Sequence, residues 1–115
     1  MLFMSWPYKN KPEMINSLRD VFVNTANKNN LLLIPAGEAF YRFNSSYPEI
    51  DLYTKDLRHP SKEGTYLAAA VVFASLYGKA TAGNPGIMGL DPEVALKIQT
   101  SVDKTVSEFM GITLK

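Results

Sequence analysis

The sequence predicts an α/β domain with about two parallel strands and flanking helices, on three observations. Two short apolar runs, "LFMSW" (2–6) and "LLLI" (31–34), each stop at a proline, as buried strands do and helices of useful length do not. A stretch with helical apolar spacing lies between them. Further on, "YLAAAVVFASL" (66–76) is apolar on nearly every side and needs cover from neighbouring elements.

The elements follow in order. Leu2 to Trp6 reads as the first strand, closed by Pro7. From Pro12 to about Lys28, Met14, Ile15, Leu18, Val21 and Phe22 recur at helical spacing, with Glu13, Asn16, Arg19 and Asp20 on the other face. Pro12 suits the first turn. Asn29-Asn30 tolerates the left-handed residue that ends a helix, and the second strand follows. All-apolar strands joined by one amphipathic helix predict a parallel crossover, covered on both faces. Gly37 to Phe43 reads as a short helix. Asn44 to Pro60, "NSSYPEIDLYTKDLRHP", is rich in turn formers and aromatic residues and reads as irregular. Ser61 is a good N-cap for a helix that Gly78 stops near Tyr77. "KATAGNPGIMGL" (79–90) is a connector. Asp91 and Pro92 then open a last helix with Ala95, Ile98, Val102, Val106 and Phe109 on one stripe.

Composition narrows the function. At 115 residues the chain forms one domain, 1–115. Its 12 Lys and Arg nearly balance 11 Asp and Glu and are scattered, so no basic stripe recommends nucleic acid. The absence of cysteine removes disulfides and thiolate chemistry but does not set the compartment. No apolar run approaches the roughly 20 residues of a membrane span. The N-terminus lacks the pattern of a signal peptide, and localisation stays open, export of a parent protein included.

Candidate chemistry centres on His59, the only histidine, three residues after Asp56 and just ahead of the Ser61 helix. A carboxylate and an imidazole presented together, held by Pro60 and a rigid helix, have the makings of an orienting acid and its base. The plain alternative is a solvent histidine with Asp56 paired to Arg58. One histidine with Glu38, Glu49, Asp51 or Asp56 gives neither the ligand count nor the spacing of a zinc centre. The glycines of 83–89 lack the lysine and hydroxyl residue of a phosphate loop and read as a bend. Trp6, Tyr8, Phe40, Tyr41, Phe43, Tyr47 and Tyr53 line either a sugar- or acyl-binding cleft or the core. Glu38 is either a carboxylate acceptor behind the site or an acid at a helix start.

Three blocks, "FMSW", "LLLIPAGEAF" (31–40) and above all "LYTKDLRHPSKEGTYLAAAVVFASLYG" (52–78), give the chain a resemblance to the C-terminal half of the SGNH, or GDSL-type, serine hydrolases. The last block looks like the family's Asp-x-x-His-Pro segment leading into its final core helix. The resemblance implies part of a flavodoxin-like three-layer α/β/α sandwich and a Ser-His-Asp mechanism on esters or acyl groups of lipids or sugars. It makes His59 the general base and Asp56 the residue that holds its other ring nitrogen. No cofactor is implied, and the substrate-binding residues stay unassigned.

The family's Gly-Asp-Ser nucleophile and its oxyanion-hole glycine and asparagine have no counterpart in the chain. Ser5, Ser17, Ser45, Ser46, Ser61, Ser75, Ser101 and Ser107 lack that context. The expectation is therefore a fragment of a hydrolase, inactive alone, because a base without a nucleophile cannot carry acyl transfer. A half-sandwich also leaves an open sheet edge and uncovered apolar faces, which predicts self-association into a homo-oligomer. The competing function is a non-catalytic carbohydrate-binding or protein-interaction module that uses the aromatic loop from Phe40 to Tyr53.

Overall fold

The computed structural model describes residues 1–115. Two strands, β1 (Leu2–Phe3) and β2 (Leu33–Ile34), pair in parallel, with Leu2 opposite Leu33 and Phe3 opposite Ile34. The 16-residue helix α1 (Met14–Asn29) joins them, followed by α2 (Ala36–Ser46), α3 (Lys62–Tyr77) and α4 (Pro92–Met110). The fold is mixed α/β and mostly helical, with one two-stranded parallel sheet.

Both strands are shorter than the apolar runs that announce them. Pairing reaches one residue beyond the strand, where the Met4 N–H donates to the Ile34 carbonyl at 3.0 Å. Cover is also less complete than the unbroken apolar pattern implies. Met4 and Ile34 are buried, while Phe3, Leu31 and Leu32 are exposed. The sheet therefore buries apolar side chains selectively, not on both faces throughout.

Helix α1 ends as read, with Asn30 left-handed at φ 55° and its N–H on the carbonyls of Ala26 and Asn27. Two positions on it depart from the helical reading. Val21 is exposed, and Arg19, assigned to the polar face, turns inward. Arg19 lies four residues after the buried Ile15, hence one turn along the same face, and meets the buried carboxylate of Glu38 on α2.

Helix α2 starts directly after Pro35 and runs to Ser46, past Phe43 and into the stretch read as irregular. Asn44, Ser45 and Ser46 are weak helix formers, but the fully buried Phe40 and Phe43 anchor the face, and the Phe43 and Tyr47 rings meet at 5.1 Å. The Ser45 hydroxyl donates back to the Tyr41 carbonyl at 2.9 Å. The first turn of α2 abuts β1: the Gly37 N–H donates to the Met4 carbonyl, and a Cβ on Gly37 would lie 1.8 Å from the Ser5 carbonyl oxygen.

Ser61 caps α3 by accepting the Gly64 N–H at 3.2 Å, and Gly78 closes it in the left-handed region. Its uniform apolarity predicts cover on every side. Instead α2, α4 and β2 bury Tyr66, Leu67, Ala70, Val71 and Ala74 and leave Ala69, Leu76 and Tyr77 exposed. The connector is a bend, as its glycines imply, but a pinned one. The Asp103 carboxylate accepts the Thr81 and Ala82 N–H groups and the Thr81 hydroxyl at 2.7–2.9 Å. Asp91 caps α4 through the N–H groups of Glu93 and Val94, and Ala95, Ile98, Val102 and Val106 reach the core, with Phe109 half-buried. No helix is long and apolar enough to cross a membrane.

Candidate functional site

The loop between α2 and α3 is short in secondary structure but dense in hydrogen bonds. Tyr53 and Pro60 form an antiparallel bridge, Thr54 N–H donates to the His59 carbonyl at 2.8 Å, and Ser61 N–H donates to the Leu52 carbonyl at 2.8 Å. These contacts close residues 54–59 into a tight excursion. Within it Leu57 takes φ 64°, a left-handed conformation that costs a residue with a Cβ on the order of 1–2 kcal/mol.

The excursion folds around one carboxylate. Asp56 Oδ1 accepts from the Thr54 hydroxyl and from the backbone N–H groups of Arg58 and His59, each at 2.9 Å. Its other oxygen, Oδ2, takes His59 Nδ1 in a very short contact. The structure thus brings Asp56 and His59 together. Arg58 does not compete for Asp56; its guanidinium lies over the Tyr8 ring, 4.7 Å from the centroid. The His59 ring, then the N–H groups of His59 and Arg58 and the Thr54 hydroxyl, hold the Asp56 carboxyl well below the usual carboxylate range.

An ionised carboxylate only accepts, so Nδ1 carries a proton, and in the neutral imidazole that tautomer leaves the Nε2 lone pair to act as a base. Nε2 has no partner in the chain, and the imidazole is 79 % exposed. No serine hydrogen-bonds to His59. Ser61, two residues on, instead donates its hydroxyl to the Asp51 carbonyl and caps α3.

Two residues far away in sequence support the excursion and could not be assigned to it from spacing. Trp6 Nε1 donates to the Arg58 carbonyl at 2.8 Å, across 52 positions, and Lys9 N–H donates to the Leu57 carbonyl at 2.9 Å. In the sequence Trp6 reads as the end of the first strand and as one of the cleft-or-core aromatic residues, and Lys9 carries no signal.

The aromatic residues serve both core and cleft. Phe40, Phe43 and Tyr53 are buried in the core. Tyr8, Tyr41 and Tyr53, with Pro7, Lys9 and Asn44, line a cleft of about 290 Å³ that neither Asp56 nor His59 reaches. Tyr53 is fixed in its wall, donating its hydroxyl to the Pro7 carbonyl at 2.7 Å and accepting from Asn44 Nδ2 at 3.3 Å. Burial pushes its hydroxyl up to about 12. Near the rim Lys9 pairs with Asp51 at 3.0 Å. Burial pushes the Asp51 carboxyl up, but Lys9 and the Tyr53 N–H outweigh it and the net direction is down.

Glu38 stands away from this loop contact network, as an acid in the first turn of α2 with two arginine partners. Burial pushes its carboxyl up, and the hydrogen bonds from Arg19 and Arg42 bring it below its ordinary value. Comparison with known proteins returned no matching family model, no matching curated protein and no matching solved structure.

Proposed function

We propose that the chain is the acid–base part of an SGNH-type serine ester hydrolase, and that its β1–α1–β2 unit with α2 and α3 is a portion of a flavodoxin-like three-layer sandwich. One observation carries the reading: His59 Nδ1 is engaged by an ionised carboxylate while Nε2 is free at an open surface. In the proposed reaction a serine supplied by another segment attacks the acyl carbonyl as Nε2 takes its proton. Asp56 stabilises the imidazolium, which returns the proton to the leaving alcohol. Water then repeats the sequence on the acyl-serine. The substrate class is a carboxylic ester, such as an acylated lipid or sugar.

The test is to read the coding sequence upstream of Met1 and assay the longer product on short-chain p-nitrophenyl esters. A Gly-Asp-Ser block in frame, with turnover abolished by His59→Ala, supports the reading. Turnover untouched by His59→Ala overturns it.

The Tyr8, Tyr41 and Tyr53 cleft favours a second reading, a non-catalytic module that holds a carbohydrate or a partner segment against tyrosine faces. Loss of ligand in Tyr41→Ala, with none in His59→Ala, would select it. Under the first reading we also propose that copies self-associate. The support is an open sheet edge beside the exposed Met1, Phe3, Leu31 and Leu32.

A further inference from the structure

Residues 57 and 58 separate the two members of the pair, and the carbonyl of each is held from outside the loop. Leu57 accepts from Lys9 N–H at 2.9 Å and Arg58 from Trp6 Nε1 at 2.8 Å. Leu57 is also the left-handed residue of the excursion, so its backbone must be held against its own preference. Of the two donors, Trp6 is the one anchored in the core. Its ring stacks on that of the fully buried Phe40 at 4.6 Å and 13°. A rigid path therefore runs from Phe40 through the indole to the backbone between Asp56 and His59.

We infer that Trp6 is a positioning residue for the Asp56–His59 pair: its indole N–H, braced on Phe40, holds the Arg58 carbonyl and so keeps the two side chains joined. This deepens the acid–base reading of the site and rests on it for its functional meaning, whereas the geometry it predicts exists without substrate. The indole should contribute in two separable ways, packing through its ring and loop placement through one N–H.

Trp6 is the only tryptophan, so growth of a tryptophan auxotroph on β-(benzothienyl)alanine replaces one N–H by sulfur at this position alone. The ring shape and the stack on Phe40 are kept. The pair is read by NMR, through the His59 Nδ1-bound proton and the Asp56 carboxyl titration, with thermal melting as the measure of packing. The expected result is a melting curve close to the parent, with the Nδ1 proton exchanging several-fold to roughly tenfold faster, the range set by the loss of one hydrogen bond. The Asp56 titration should move up toward the ordinary aspartate range. Trp6→Phe should move the same two signals while also lowering the melting temperature, because it trims the stack.

An Nδ1 proton and an Asp56 titration unchanged from the parent in the sulfur-substituted protein would overturn the inference. No activity is measured, so the outcome is independent of whether an ester is the substrate.

Discussion

Arg19 on α1 grips the buried Glu38 carboxylate on α2 with two hydrogen bonds, Nε to Oε2 at 2.7 Å and a terminal nitrogen to Oε1 at 2.8 Å. Arg42 adds a third at 3.2 Å and reaches on to Glu108 of α4 at 3.1 Å. Glu38 and Arg42 together thus link three helices. Glu38→Gln removes the charge but not the volume. Both arginines are about one-third exposed and can recover water, so the cost should be near 2 kcal/mol, not the larger figure for a fully buried pair. Urea denaturation checks it.

The same carboxylate makes stability pH-dependent. Glu38, Asp51 and Asp56 all titrate lower in the folded chain than in an unfolded one. The unfolded chain therefore binds more protons in acid. Stability from these groups is present above the ordinary carboxylate range and falls as pH drops below about 4.5. Tyr53 acts at the other end. Its hydroxyl titrates near 12 when folded, so its contribution holds below about pH 10 and is lost as pH rises toward 12. Urea midpoints from pH 2 to 12 should trace both flanks, and Tyr53→Phe should flatten the alkaline one.

Two glycines are required by close approach. A Cβ would sit 1.8 Å from the Ser5 carbonyl oxygen at Gly37 and 2.2 Å from the Leu52 carbonyl oxygen at Gly64, both backbone atoms. Gly37→Ala and Gly64→Ala should each cost toward the upper end of about 1–3 kcal/mol, against the usual helix-stabilising effect of alanine. Gly111→Ala is the contrast: no atom lies within 4 Å, and only its left-handed φ of 65° penalises it. Thermal melts should rank it mildest.

Assayed alone on p-nitrophenyl esters, the chain should turn over no faster than its His59→Ala variant. Robust turnover lost in that variant would reveal a nucleophile within the chain. Where a serine is supplied, Asp56→Asn should lower the rate by about 10⁴-fold, because the amide no longer stabilises the imidazolium or enforces the Nδ1–H tautomer.

Light scattering at micromolar concentration should detect a dimer or larger species. Phe3→Lys and Leu32→Lys place charges beside the open edge and should return it to monomer. A monodisperse monomer in the unmodified protein would remove the proposed interface.

Local chemistry determined helix ends of this protein: Ser61, Asp91, Gly78 and Asn30 act within a few residues of the backbone groups they cap, and helical periodicity marks the core stripe of α4. It also placed Asp56 within reach of His59, because three residues in a turn cannot carry them far apart. Tertiary structure decided the rest. The extension of α2 to Ser46 follows from the burial of Phe43 and Tyr47 packing, the inward turn of Arg19 from a carboxylate 19 positions away, and the hold on the His59 loop from Trp6, 52 positions from Arg58. Contacts between distant residues depend on how helices and strands pack, and no spacing in the chain encodes that.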